Sequence, residues 1–474
     1  MVFSSNLFLY LFLPLFLAGY WLARGTEAKN AVLLTASLIF YAYGEPVFVA
    51  VLLISVAVNW QAGLAIAKGV KGALAAGVAW NLAVLGIAKY ADFAVETVNA
   101  VTGGGIPAPG VELPLGVSFF SFQAISYLVD IKRGAAPAER RASHVALYIT
   151  MFPQLVAGPI VRYATVARQI SHRRHSLWRS VIGVRVFIIG LAQKVMIANE
   201  VGRVADVAFA NGTALDAGEA WVGIVSYSLQ IYYDFSGYSL MAIGLGLVLG
   251  FGFPRNFRLP YTARSVTGFW RRWHMSLSRW FRDYLYIPLG GNRAGPARTY
   301  ANLMIVFLLC GLWHGASWTF VIWGLHHGVF LVVERAWLGR WLPRMPALAS
   351  QAYCLLAVLT SWVWFRADSL AEALAYFRAM AGFSGNGVMD EAFGQAFGPV
   401  WYFALAAGTI LALTPQRVWN GVFGMAGDGA ARVLPMSALQ NRLVMRNWIS
   451  LGLFAVSLTL LADARYNPFL YFRF

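Results

Sequence analysis

Apolar runs of bilayer length recur along almost the whole chain, and this recurrence constrains the fold more than any single motif. A helix crossing the hydrocarbon needs about 20 mostly apolar residues. Candidate segments lie near 7–23, 31–43, 46–66, 73–98, 113–130, 145–160, 183–199, 219–252, 301–313, 318–335, 347–366, 400–413 and 448–463. Several are short or interrupted by glycine and proline, which predicts about 11 to 13 helical pieces, some too short to cross fully. Of 474 residues, 59% are hydrophobic and only 12% charged, about half the charged share of a soluble domain. The expectation is an all-α polytopic membrane protein. No internal repeat is visible and no linker divides the chain, so residues 1–474 read as one domain.

The formal charge of +17 invites a nucleic-acid reading, but the cations lie in short loops between apolar segments, as the positive-inside pattern requires. Three basic loops mark one face, read as cytoplasmic. The first holds Lys132-Arg133 and Arg140-Arg141. The second, 162–185, carries six arginines and no acid. The third, 255–298, carries nine arginines and one acid, Asp283. Most acids fall in 91–112, 200–219 and 367–398, read as the outer side. The first apolar run has no basic residue before it, unlike a secretory signal. Arg24 and Lys29 follow it, which predicts a retained helix with its N-terminus outside the cytoplasm. Cys310 and Cys354 both sit in apolar runs, so a disulfide scaffold is not expected.

In the third loop, Trp270, Trp273, Leu277, Trp280 and Tyr284 recur at helical spacing. Arg271, Arg272, Ser278, Arg279 and Arg282 take the opposite face. This predicts an amphipathic helix in the interface, aromatics toward acyl chains and arginines toward phosphates. It serves either as a simple anchor on anionic headgroups or as an entry where Arg271, Arg272, Arg279 and Arg282 receive an anionic donor.

Gly311-Leu312-Trp313-His314-Gly315-Ala316 places a histidine in the run 301–330, which has no Asp, Glu, Lys or Arg. An ionisable group at membrane depth is by default a functional hypothesis. Tyr300 marks the boundary, and 14 residues separate it from His314. That is about 21 Å of helix in a hydrocarbon core of about 30 Å, past the midpoint. Gly311 and Gly315 leave room for close approach and for a helix break, and Trp313 and Trp318 read as walls of a pocket. The bland alternative is a histidine bonded to a neighbouring helix, the reading preferred for His326 and His327. Desolvation favours the neutral imidazole, which can take a proton from a hydroxyl attacking a carbonyl. No serine, histidine and acid triad is legible. Acyl transfer from a thioester needs less: one base, orientation and exclusion of water.

His274, in Phe269-Trp270-Arg271-Arg272-Trp273-His274-Met275, reads as an interfacial cation or an auxiliary polar group on the approach to His314. Arg282 and Asp283 suggest a local ion pair, and Gly290-Gly291 a turn. Asp234, in Tyr232-Tyr233-Asp234-Phe235-Ser236-Gly237, is a carboxylate in an apolar segment. It would orient an imidazole or pair with an arginine, and Ser236-Gly237 offers a break in the segment. Gln154 with Gly158-Pro159 suggests a short re-entrant element.

At these residues the chain resembles the membrane-bound O-acyltransferase (MBOAT) family, in its bacterial alginate O-acetyltransferase branch. The resemblance runs from Met1-Val2-Phe3-Ser4-Ser5-Asn6 through Gly116-Val117-Ser118-Phe119-Phe120-Ser121-Phe122-Gln123 and Phe152-Pro153-Gln154. It continues through Tyr233-Asp234-Phe235-Ser236-Gly237, Trp273-His274-Met275, Phe281-Arg282-Asp283-Tyr284 and Trp313-His314-Gly315 to Asn467-Pro468-Phe469-Leu470-Tyr471-Phe472-Arg473-Phe474. It implies a ring of transmembrane and re-entrant helices around a central tunnel, with interfacial amphipathic helices and a core at about 113–335. His314 falls at the family's catalytic histidine and His274 at its second, upstream polar position. Acetyl-CoA is the implied donor substrate, with no tightly bound cofactor and no metal. The acetyl group would end on an exopolysaccharide, most naturally alginate, through a separate periplasmic acetyltransferase partner; the protein would lie in the bacterial inner membrane.

Rival readings remain at this stage. The same chemistry could serve peptidoglycan, cellulose or another envelope glycan. A polysaccharide or lipid flippase predicts repeats and paired intramembrane charges, neither legible in the sequence. A scaffold for a synthase complex predicts indifference to acetyl-CoA.

Overall fold

The computed structural model describes residues 1–212, 214–384, 391–415, 436–463 and 466–468. The closing 469–474 of the last motif and part of the acidic segment 367–398 lie outside them. The described residues are helical with irregular connections, and no strand occurs among them. Six helices are long and apolar enough to cross a membrane: Val49–Ala67, Ala73–Thr102, Leu177–Ala210, Gly295–His314, Ala347–Arg366 and Met445–Ala462. Phe8–Leu22 and Pro399–Leu413 are apolar but shorter, as expected of the abbreviated runs. The segment expected near 145–160 is not one helix. It is Ala142–Thr150 followed by the buried turn Phe152–Leu155, because Pro153 and Gly158-Pro159 interrupt it.

Two helix pairs form the centre, and glycine sets the approach in both. Leu177–Ala192 continues through a π-helical stretch, Gln193–Ala198, into Asn199–Ala210. It packs along Ala217–Val248. A Cβ on Gly190 would stand 2.4 Å from the Gly237 carbonyl oxygen, and one on Gly183 2.6 Å from that of Gly244. Ser236-Gly237 therefore does not break the segment as its sequence suggested. The 32-residue helix is continuous, and the glycine is needed for backbone-to-backbone contact instead.

The second pair is Gly295–His314 against Trp318–Ala336. A Cβ on Gly311 would fall 2.2 Å from the Phe320 carbonyl oxygen, and one on Gly324 2.2 Å from that of Phe307. At Gly315 it would strike the Phe320 ring at 2.0 Å. The Gly311 and Gly315 sites thus admit neighbouring protein, backbone at one and an aromatic ring at the other.

The amphipathic stretch of the third loop departs from expectation. It is not one helix but two short ones, Val266–Trp270 and Met275–Phe281, followed by a π-helical turn, Arg282–Tyr286. His274 between them is left-handed at φ 41°, a conformation that costs a non-glycine residue about 1–2 kcal/mol. The aromatics turn into the protein, not toward acyl chains: Trp270, Trp273, Leu277 and Trp280 are all buried. Trp280 stacks on Phe122 at 3.7 Å between centroids and donates its indole N–H to the Phe122 carbonyl at 2.9 Å. Helical spacing revealed a one-sided apolar face, and the tertiary fold supplied protein to cover it.

The three basic loops meet at one place. The Asp283 carboxylate takes Arg282 at 2.6 Å and Arg162 at 2.7 Å, and its carbonyl accepts from Arg133 at 3.0 Å. Burial alone would raise this carboxyl. The bonds from Arg282 and Arg162 overcome that and hold it below its ordinary 3.8. The only acid of the third loop is thus a clamp joining all three loops on one face.

Candidate active site

His314 is the last residue of its helix and is 6% exposed. Its ring packs edge-on against three aromatic rings: Trp313 at 4.8 Å, Trp323 at 5.0 Å and Phe365 at 5.2 Å between centroids. Trp318, read from sequence as a wall, is instead half-exposed and lies against Phe93. The first position of the Trp318–Ala336 helix turns outward, and Trp323, one and a half turns on, faces the imidazole.

The hydrogen bonds separate this histidine from the others nearby. His326 bonds the Ala357 carbonyl oxygen at 2.9 Å. His327 accepts from the Trp270 indole N–H at 3.3 Å. Both have the structural partners expected of them. His144 bonds Glu27 and Glu139. The His314 ring makes no hydrogen bond to any described side chain or backbone group. Around it, the indole N–H groups of Trp313 and Trp323 and Nε2 of His327 are buried without an acceptor among the described residues. Buried polar groups are rarely left unpaired, and each exception calls for an explanation. Three such groups stand near an imidazole that no described residue hydrogen-bonds.

His274 stands on the other side of Trp313, 6.1 Å between ring centroids, with Phe235 edge-on at 4.6 Å. Its Nδ1 is 3.2 Å from Oδ1 of Asn256. That oxygen also accepts the Ser276 backbone N–H at 3.1 Å and the Ser276 hydroxyl at 2.8 Å. A backbone N–H can only donate, so the Asn256 atom is an acceptor. His274 therefore carries its proton on Nδ1 and keeps its lone pair on Nε2. The ring is fully buried, and burial pushes it down to about 3, so it is neutral at physiological pH. The expectation of an interfacial cation gives way to a neutral, tautomer-fixed imidazole; desolvation without a counter-ion is the cause. The short helix before it is held by Glu334, whose carboxylate accepts the N–H groups of Val266 at 2.5 Å and Thr267 at 2.9 Å.

Asp234 is ion-paired with Lys194 at 2.9 Å, each side chain 3% exposed. A lysine takes the place foreseen for an arginine. The pair links the two glycine-packed helices at the π-helical stretch. This is a buried charge pair that the sequence did not make legible, because its partners lie 40 residues apart on different helices. The four candidate donor-entry arginines divide. Arg272 bonds the Thr262 hydroxyl, Arg279 the Met275 and Arg255 carbonyls, and Arg282 Asp283. Arg271 is exposed and makes no side-chain hydrogen bond to a described residue.

Two residues that sequence reasoning missed hold the His314 helix. Lys89 donates to the Trp313 and His314 carbonyl oxygens at 2.6 and 2.7 Å. Tyr90 donates to that of Leu312 at 2.6 Å. The signal was available: Lys89 is a lone cation inside the apolar run 73–98, and the same rule that singled out His314 applies to it.

These features define a multi-pass membrane protein with a buried histidine at a helix end whose ring no described residue hydrogen-bonds. A family model described as MBOAT, membrane-bound O-acyltransferase family, matches residues 136–371. The chain belongs to that family and is an O-acyltransferase. It is 40% identical over 510 aligned positions, covering all of both chains, to a probable alginate O-acetylase AlgI of Azotobacter vinelandii. It is 37% identical to a peptidoglycan O-acetyltransferase of Helicobacter pylori, over 81% of this chain and 80% of the relative. A teichoic acid D-alanyltransferase of Streptococcus thermophilus is 29% identical over 47% of this chain and 57% of its own length.

Proposed function

We propose that this protein moves acetyl groups from cytoplasmic acetyl-CoA across the bacterial inner membrane for O-acetylation of an exopolysaccharide, alginate in the first instance, through a periplasmic partner. The observation that carries this reading is the His314 imidazole, buried in an apolar setting and not engaged by any described residue. Arg271 and the neighbouring basic loops receive the donor's phosphates, and the thin thioester arm runs inward between the aromatic rings toward His314. The acceptor hydroxyl arrives from the opposite face.

His314 takes the hydroxyl proton as the oxygen attacks the thioester carbonyl. The C–O bond forms, the C–S bond breaks, and the CoA thiolate leaves and is protonated. The N–H groups of Trp313 and Trp323, without an acceptor among the described residues, are donors for oxygen atoms of the bound reactants. His274 is the auxiliary group, its neutral Nε2 carrying the lone pair. Exclusion of water by the aromatic cage protects the thioester from hydrolysis.

The test is mass spectrometry of the surface glycans with wild-type protein and with His314→Ala. A loss of acetylation of about 10²- to 10⁴-fold, the usual worth of a general base, is expected. Unchanged acetylation removes His314 from the mechanism. The glycan that loses acetate identifies the acceptor: alginate supports this reading, whereas peptidoglycan, the substrate in the name of the Helicobacter pylori relative, replaces it. Recovery of an acetylated enzyme after a chase with labelled acetyl-CoA would replace the general-base step by one in which the imidazole carries the acetyl group.

A further inference from the structure

A helix ends with four carbonyl groups that have no intrahelical partner, and in an apolar interior each must find a donor. At the end of Gly295–His314 all four are accounted for. Gly311 accepts the Gly315 backbone N–H at 3.2 Å. Leu312 accepts the Tyr90 hydroxyl at 2.6 Å. Trp313 and His314 accept the Lys89 ammonium at 2.6 and 2.7 Å. Two consecutive residues of a helix more than 220 positions upstream, Ala73–Thr102, thus close three of the four.

Lys89 is 8% exposed and sits in a helix long enough to cross the membrane. No carboxylate lies within ion-pair distance of it among the described residues. Its charge is met by the partial negative charge at the helix end, about half an elementary charge. A glycine after the helix can satisfy such carbonyls without any buried charge. A buried ammonium is the more demanding solution, and it does what a glycine cannot. It ties the backbone of His314 to a second helix.

We infer that Lys89, assisted by Tyr90, is a positioning residue that fixes the His314 imidazole for proton transfer. The inference rests on the reading of His314 as the reacting group. Geometry explains why it matters: a misplacement of about 1 Å at a reacting centre costs about 10²-fold in rate. With both bonds in place, the backbone from which the imidazole hangs is held at its carbonyl oxygen and those of the two residues before it.

The experiment uses the full chain in membrane vesicles. It measures transfer of label from acetyl-CoA to glycan, normalised to folded, monodisperse protein. Lys89→Met should lower kcat about 10- to 100-fold with KM for acetyl-CoA unchanged. Lys89→Arg, which keeps a cation donor, should recover at least part of the loss. Tyr90→Phe should cost about threefold, and amide exchange at 311–315 should quicken in both Lys89→Met and Tyr90→Phe. Full kcat per folded molecule in Lys89→Met, with His314→Ala inactive, overturns the inference alone. Full activity in His314→Ala overturns the functional reading beneath it. If Lys89→Met does not fold, Tyr90→Phe decides: reduced kcat at constant KM supports the inference, and unchanged kcat overturns it.

Discussion

The two central helix pairs are assembled by the same device and spend their polar groups differently. In both, glycine lets one backbone touch another: Gly190 with Gly237 in the first pair, Gly311 with Phe320 and Gly324 with Phe307 in the second. In the first pair a charge pair is matched at the helix contact. Lys194 holds Asp234, and the Ser236 hydroxyl donates to Gln193 at 2.9 Å. In the second pair no described residue hydrogen-bonds the His314 ring, and the indole N–H groups of Trp313 and Trp323 have no acceptor among the described residues. A buried charge that is matched contributes to architecture. A buried polar group left unmatched costs stability, and beside His314 it is a candidate contact for substrate.

That contrast can be broken by experiment. The largest effect after loss of His314 is expected in the first pair. Lys194→Met or Asp234→Asn alone leaves an uncompensated buried group, costing about 3–5 kcal/mol, read as a fall in melting temperature and in yield of folded protein. Lys194→Met combined with Asp234→Leu should recover much of it, and activity per folded molecule should stay near wild type. Low activity in a stably folded double variant would show that the pair takes part in catalysis and would dissolve the distinction.

Gly311→Ala is next. Its Cβ would meet backbone that cannot step aside, so overpacking should cost about 1–3 kcal/mol. Gly237→Ala, which meets the Gly190 carbonyl oxygen, should cost a similar amount. The two variants should differ in activity per folded molecule, with Gly311→Ala the lower because it displaces the helix that carries His314. Equal activities would mean the histidine helix tolerates displacement.

Trp323→Phe sharpens the comparison. It keeps an aromatic ring beside His314 and removes the unpaired N–H together with the rest of the indole's five-membered ring. The cavity should cost about 1–3 kcal/mol of stability, while transfer per folded molecule should slow by about three- to tenfold, the worth of one hydrogen bond. Unaltered rates in Trp323→Phe would assign the indole to packing alone.

The smallest effect belongs to the loop clamp. Asp283 is held below 3.8 in the folded protein, so its contribution is present above 3.8 and lost as pH falls through the depressed folded value. The melting-temperature difference between wild type and Asp283→Asn should therefore be constant near neutrality and shrink below pH 3.8. The screening that weakens partly exposed pairs keeps it small. No difference at any pH would assign the clamp to the Arg133 bond with the Asp283 backbone, which the variant keeps.

The sequence by itself determined the apolar helical class, the grouping of the basic loops, the turn at Gly290-Gly291 and the place of His314 in an apolar helix. These follow from local quantities: run length, charge placement and the cost of an imidazole in an apolar segment. Only the tertiary structure decided what each polar residue faces. It paired Asp234 with Lys194, turned the tryptophans of 270–280 inward, replaced Trp318 by Trp323 beside the imidazole and brought Lys89 to the end of the histidine helix. Periodicity shows that a helix has an apolar face without saying whether lipid or protein covers it. A charge in an apolar run announces that a partner is needed, and which residue answers depends on helices far apart in the chain coming together.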